Sequence, residues 1–199
     1  MQHYFIDKDH TESDFFEFND NVLGLNLCFR SCDSIFSKNQ IDDGTRALLN
    51  AISKNITLKG HGLDLGCGLG VIAIALIKQF GVTFDMIDVN GTAVKLSKEN
   101  LIKNNVQHSA KAYLSDGFEN VNENFDFIVT NPPIKTGKKL LFELMCGAYE
   151  HLKENGTLTL VIRKDHGMES LKKHLILLFG NCEIIARDKG YYILNSIKN

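Results

Sequence analysis

Short apolar runs at 62–65, 83–88, 109–114, 125–130 and 157–163 alternate with helix-patterned segments near 71–80, 91–104, 138–152 and 167–179. No feature of the chain constrains its fold more. Strands separated by helices cannot pair as hairpins, so the pattern predicts a parallel sheet with helices packed on it. The run Phe125–Thr130 is apolar almost throughout, as a strand buried on both faces is. Two further strands, Cys182–Arg187 and Tyr191–Ile197, are separated only by Asp188-Lys189-Gly190. So short a link makes a hairpin, not a crossover. Nearer the start, Asp14–Phe18 and Leu23–Phe29 flank Asn19-Asp20-Asn21, which predicts another hairpin turning at those three residues. Thr45 is expected to cap a helix over Arg46–Lys54.

Within the first strand–helix unit, Gly62-Leu63-Asp64-Leu65 leads into Gly66-Cys67-Gly68-Leu69-Gly70. Strand, glycine turn, helix is the opening of a nucleotide-binding βαβ unit. The spacing is D-x-G-x-G-x-G, and it departs from the dinucleotide fingerprint, which would place Val71 at its third small position. A pyrophosphate needs bare N–H groups at the helix start. A carboxylate there repels phosphate and favours a cationic group. S-adenosylmethionine carries an ammonium and a sulfonium and no phosphate. Two more acids close the following strands. Asp88, followed by Val89, stands where an acid accepts ribose hydroxyls. Asp116, followed by Gly117, stands where an adenine amino group needs an acceptor.

The only two prolines of the chain are adjacent, in Asn131-Pro132-Pro133-Ile134. Proline cannot continue a sheet ladder, so the strand ends here. Each proline also drives the residue before it into extended backbone. The Asn131 side-chain oxygen and the Pro132 carbonyl are then expected to converge on one point. Two preset acceptors fit a planar NH2 group. The plainer alternative is a strand-ending turn.

Taken together, Asp64–Gly70, Asp88-Val89-Asn90, Asp116-Gly117 and Asn131–Ile134 resemble class I S-adenosylmethionine-dependent methyltransferases. More narrowly the chain resembles the methyltransferase small domain family, which includes small-subunit ribosomal RNA guanine-N2 methyltransferases. Ser34-Ile35-Phe36-Ser37 with Asp43-Gly44-Thr45, then Gly137-Lys138-Lys139 and Val161-Ile162-Arg163-Lys164, are similar to segments of that family. The likeness runs from about His3 to Ile197. It implies an α/β, Rossmann-like, doubly wound sheet of seven mostly parallel strands with a C-terminal antiparallel hairpin. An N-terminal β-hairpin extends it.

The resemblance also implies site residues. Asn131, Pro132, Pro133 and Ile134 are the expected catalytic turn. Asp64, Gly66, Cys67, Gly68, Gly70, Asp88, Val89, Asp116, Gly117 and Asn131 are expected to hold S-adenosylmethionine. Lys135, Lys138, Lys139 and Arg163 are expected on RNA phosphates. Many enzymes of this chemistry have an aromatic residue after Asn-Pro-Pro. Ile134 stands there instead, and Phe36 is the candidate to stack on the base.

Composition sets the outer bounds. A length of 199 residues predicts one domain, with a hairpin and leading segment over 1–45 and a catalytic core over 46–199. No apolar run approaches the roughly 18 residues of a membrane span. The first residues lack a signal-peptide pattern. Five scattered cysteines read as reduced cytosolic thiols, so a cytoplasmic protein without a metal centre is expected. A net charge of −2 makes no case for nucleic acid by itself. The reading is amino methylation, favouring guanine N2 of ribosomal RNA. Methylation of a protein glutamine or a DNA adenine, or a non-catalytic cofactor- or RNA-binding module, remain alternatives.

Overall fold

The computed structural model describes residues 11, 14–33, 35, 40–133 and 137–199. Strands β1 (Phe15–Val22) and β2 (Leu25–Cys32) form an antiparallel hairpin apart from the main sheet. Its turn is Leu23-Gly24, not the expected Asn19-Asp20-Asn21. Both turn residues have positive φ, 55° and 76°, the backbone of a two-residue turn that matches strand twist. The polar triplet lies within β1 instead, where Asp20 and Asn21 are engaged by groups from outside the strand. Asn21 donates to Asn26 across the strands at 2.8 Å. Asp20 accepts from the Ile41 N–H at 2.9 Å and pairs with Arg46.

Helix α1 (Asp43–Asn55) begins earlier than predicted, and its N-cap is Asp42, not Thr45. The Asp42 carboxylate accepts from the Thr45 N–H at 3.0 Å. That is the usual service of a side chain one residue outside a helix. The chain then alternates through β3 (His61–Leu65), α2 (Val71–Phe80), β4 (Thr83–Asp88), α3 (Gly91–Lys103), β5 (Ala110–Leu114) and β6 (Phe125–Thr130). Helix α4 (Lys138–Glu150), β7 (Leu152–Arg163), α5 (Met168–Phe179), β8 (Glu183–Asp188) and β9 (Tyr191–Ile197) complete it.

The strands stand in the order β5-β4-β3-β6-β7-β9-β8. The first five are parallel to their neighbours, and β9 and β8 run antiparallel. The predicted architecture is therefore the observed one. β7 starts five residues before the expected 157, across an irregular stretch of pairing with β6. Helices α1, α2 and α3 cover one face over Phe84, Met86, Phe127 and Val129. Helices α4 and α5 cover the other over Leu63, Phe125, Ile128 and Leu160.

Helix α3 also ties down the hairpin. Asn104 accepts from the Cys28 N–H at 3.1 Å and donates to the Cys28 carbonyl at 2.7 Å. One turn earlier, Asn100 does the same for Arg30, at 2.7 and 3.1 Å. Two side-chain amides thus substitute for a neighbouring strand along β2. Asn100 has a second donor contact, to the Leu69 carbonyl in the glycine loop at 3.0 Å. The hairpin and the glycine loop share one anchor.

Candidate active site

The parallel strands β3, β4, β5 and β6 end at Leu65, Asp88, Leu114 and Thr130. The segments that follow them therefore share one rim of the sheet, where such folds bind ligands. The loop after β3 needs its glycines. Gly66, Gly68 and Gly70 have φ of 75°, 53° and 82°, a region that costs other residues strain. At Gly70 a Cβ would also sit 2.6 Å from the Met86 methyl. The loop spends its own donors. Gly66 and Cys67 both donate to the Ile87 carbonyl at 2.9 Å, Gly70 to the Cys67 carbonyl at 2.8 Å, and Gly68 to Asp88 at 2.9 Å. These N–H groups are not bare, and a pyrophosphate would find none of the four.

Asp64 lies beneath this loop, fully buried. Its Oδ2 accepts from the Ala73 N–H at 3.2 Å, in the first turn of α2, whose own cap Gly70 offers no side chain. Its Oδ1 has no hydrogen-bond partner among the described residues. Burial above all, and then the charge of Asp88, push the carboxyl up to about 7, against the opposing pull of the Ala73 N–H. Such a group gains most from a cation or a strong donor brought beside it. Cys67 is buried in the same place, and burial pushes its thiol well up, with the charges of Asp64 and Asp88 adding to the effect.

Asp88 closes β4, half-buried. Its two oxygens accept from Gly68 and Asn90 N–H groups, both at 2.9 Å. Burial still raises its carboxyl above the usual range. Asn90 then caps α3 through Thr92 and Ala93. Val89 between them is 37% exposed, so it offers an apolar surface at the rim. Asp116 is exposed after β5, and Gly117 follows with φ of 53°. With Leu140 and Leu144 of α4 they line an open groove of about 640 Å³.

Asn131 follows β6, the direct neighbour of β3. The Thr130 hydroxyl donates to the Leu65 carbonyl at 2.7 Å, pinning the Asn-Pro-Pro turn to the start of the glycine loop. The Asn131 amide nitrogen donates to the Thr45 hydroxyl oxygen at 3.0 Å and to Asp42 Oδ1 at 3.2 Å. Pro132 is buried and Pro133 exposed. The expected site residues Phe36, Ile134 and Lys135 lie outside the described residues.

The other expected basic residues flank the turn. Lys138 sits over the Phe142 ring, 5.3 Å from its centre, and Lys139 is 3.8 Å from Glu143. Arg163, at the end of β7, pairs with Asp165 at 3.1 Å and lies 5.6 Å from the Tyr191 ring centre. Asp42 and Thr45 were not anticipated beside Asn131. The contact spans 89 residues of sequence, and nothing local in either segment announces it.

The opposite rim holds a different cluster. Asp85 accepts from Tyr113 at 2.9 Å and lies 3.1 Å from His61 Nε2 and 3.3 Å from Lys111 Nζ. Glu123 lies 2.8 Å from the same ammonium. His61, Asp85 and Glu123 have ligand-type atoms within 4.8 Å of one another. The Lys111 ammonium lies within reach of both carboxylates, so the group is an ionic network.

A parallel sheet in this order, with an acid-led glycine loop and an Asn-Pro-Pro turn on adjacent strand ends, defines the Rossmann-like methyltransferase class. The chain belongs to the methyltransferase small domain family, whose family model matches residues 26–195. It is 36% identical to the uncharacterized protein YbxB of Bacillus subtilis over 99% of this chain and 98% of that protein. It is 34% identical to ribosomal RNA small subunit methyltransferase C of Actinobacillus pleuropneumoniae, over 82% of this chain and 50% of that one. Among solved structures it superposes on a T. thermophilus 16S rRNA N2 guanine methyltransferase, bound to S-adenosylmethionine and guanosine. The TM-score is 0.83 at 23% identity, covering 93% of this chain and 51% of that chain. The chain spans about half the length of these ribosomal RNA relatives.

Proposed function

We propose that this chain is an S-adenosylmethionine-dependent N-methyltransferase acting on the exocyclic amine of guanine, N2, in small-subunit ribosomal RNA. One domain carries the activity, in the cytoplasm. The observation that bears most weight is the Thr130–Leu65 bond of 2.7 Å. It joins an amine-accepting turn to a loop built for a cationic, phosphate-free nucleoside. The chemistry of two half-sites, donor and acceptor, meets at that bond.

The residues present fit the cofactor. The Asp64 oxygen without a partner among the described residues is a counter-charge for an ammonium. Gly66 and Gly68 leave open space, since a Cβ at either would meet nothing within 4 Å. Asp88 keeps lone pairs beyond those used by Gly68 and Asn90, enough to accept ribose hydroxyls. Asp116 and Gly117 are assigned to the adenine, and Cys67 and Val89 to the walls. Bound there, S-adenosylmethionine supplies an electrophilic methyl on a sulfonium.

The chain's own part is orientation. The lone pair of an aromatic amine is delocalised into its ring. When Asn131 and Pro132 accept its two hydrogens, the nitrogen pyramidalises and its lone pair is aimed. Catalysis is then positioning and fixed dipoles. The product ammonium is acidic enough to lose its proton without a strong base. Pro133 fixes the turn, Ile134 is assigned to the catalytic turn with it and Phe36 to stacking on the base, and Lys135, Lys138, Lys139 and Arg163 are assigned to RNA phosphates.

Transfer of labelled methyl to small-subunit ribosomal RNA by wild type and Asn131→Ala tests the reading. The variant is expected to lose roughly 100- to 1,000-fold in rate while cofactor affinity stays within a few fold. Mass spectrometry of the digested RNA should show N2-methylguanosine. Undiminished transfer by the variant, or a different methylated nucleoside, ends the proposal.

A further inference from the structure

The amide of Asn131 has two ends that look alike in shape and are opposite in chemistry. One end accepts hydrogen bonds and the other donates them. Only the accepting end is useful toward an amine, so something must hold the amide one way round. The contacts of α1 do this. Asp42 is a carboxylate and accepts only. The group facing it at 3.2 Å must therefore be the Asn131 NH2. The Thr45 oxygen takes the second amide hydrogen at 3.0 Å. Both donors of Asn131 are then used, and its oxygen is turned away from α1. Asp42 is itself fixed, because the same Oδ1 accepts from the Thr45 N–H at 3.0 Å. The whole arrangement is seated at the start of a helix with Gly44 and Thr45 buried.

From this geometry we infer that Asp42 and Thr45 are positioning residues. They lock the amide flip of Asn131 and so set the specificity of the site for a hydrogen-donating amine over a hydrogen-accepting carbonyl. The inference rests on the methyl-transfer reading of Asn131, but the lock itself does not. It also changes what a conservative substitution is. Asn131→Asp keeps the shape of the side chain, yet it sets one carboxylate against another at about the distance of the present hydrogen bond. Asp42→Asn relieves this. In the double variant the oxygen at position 42 still caps Thr45, and only one of the two facing side chains carries a charge.

Two readouts decide the matter. The first is solvent exchange of the Asn131 side-chain amide in 15N-labelled protein, its signals assigned by their loss in Asn131→Asp. In wild type the pair should exchange slowly. Thr45→Val leaves the helix cap in place and should speed exchange several-fold. The second is kcat, KM and cofactor Kd on small-subunit ribosomal RNA. Thr45→Val should lower kcat roughly 10- to 100-fold, as loss of a group that orients a reacting ligand does, with Kd for S-adenosylmethionine unchanged. The double variant Asn131→Asp with Asp42→Asn should exceed Asn131→Asp alone by roughly tenfold in kcat.

Fast exchange in wild type, or a double variant no better than the single one, overturns the lock. If wild type methylates no RNA but its Asn131 amide is protected and Thr45→Val releases it, the lock stands and the assigned reaction falls.

Discussion

Asp64 and Asp85 sit on neighbouring strands, are 0% and 1% exposed, and have opposite surroundings. Register pairs Asp64 with Met86 and Leu63 with Asp85, so the two carboxylates point to opposite faces of the sheet. Asp85 is surrounded by His61, Tyr113 and Lys111. Asp64 has one backbone N–H and an oxygen with no partner among the described residues. A buried carboxylate with a full set of donors maintains the fold. One left short, next to a glycine loop, is the one proposed to meet a ligand. Burial alone does not separate structure from function, whereas the state of the hydrogen-bonding groups does.

Four measurements put that contrast at risk. The largest effect is expected from Asp85→Ala, which removes the charged partner of the Tyr113 hydroxyl and of His61 Nε2. Two hydrogen bonds to a charged group at roughly 1.5–3 kcal/mol each should lower the unfolding free energy by about 3 kcal/mol in urea denaturation. The folded variant should bind S-adenosylmethionine as wild type does. A variant that loses affinity but keeps its stability would reverse the two roles.

Next is Asp64→Asn. It deletes the charge proposed for the cofactor's ammonium, a hydrogen bond of roughly 1.5–3 kcal/mol. Calorimetric titration should show Kd weakened about tenfold or more. Its unfolding free energy without ligand should change little, since the Ala73 N–H keeps an acceptor in the new amide oxygen and removal of the buried charge offsets the cost of the new buried NH2. Unaltered affinity would return Asp64 to a purely structural role.

The third is a pH slope. The Asp64 carboxyl is raised to about 7 in the fold from an ordinary value of 3.8. Between those values the folded protein holds the extra proton. Stability from this group is therefore complete below about pH 4, declines as pH rises, and is gone above about pH 7, with a slope of at most roughly 1.4 kcal/mol per unit. Asp88 is raised too and adds a slope of the same sign. Subtracting the Asp64→Asn profile from wild type isolates Asp64. Cofactor affinity should run the other way, increasing with pH toward 7 as the carboxylate forms. A flat difference curve would show that Asp64 is ionised throughout.

The smallest effect is expected from Tyr113→Phe. It removes one of the three donors around Asp85, and the remaining two keep the carboxylate engaged. About 1 kcal/mol of stability should be lost, with cofactor Kd unchanged. A loss near that of Asp85→Ala would mean that the network depends on the phenol alone.

The main sheet was legible because strand periodicity and glycine position are local signals. β3 through β6 fall within a residue of their expected ends. Asp64, Gly66, Asp88 and Asn131 could be placed on one rim for the same reason, each at or next to a strand end. The failures have one cause. Asn19, Asp20 and Asn21 look like a turn to any local reading, yet Arg46, Ile41 and Asn26 engage Asp20 and Asn21 from elsewhere in the chain. Thr45 looks like a cap, but Asp42 three residues earlier reaches its N–H. The donors around Asp85 and the Asp42–Asn131 contact are assembled by sheet order, which sequence spacing does not encode.

The paired asparagines of α3 have a consequence for how the molecule meets its own copies. A strand with free N–H and C=O groups along one side is a template for another chain, and folded proteins guard such borders. β2 would have such a side at Cys28 and Arg30. Asn104 and Asn100 fill both positions with amide groups that mimic a strand and cannot be extended by one. That stretch of the hairpin is sealed against intermolecular β-pairing without any neighbour strand. Because Asn100 also holds Leu69, the residue that discourages self-association is one that the glycine loop needs in place.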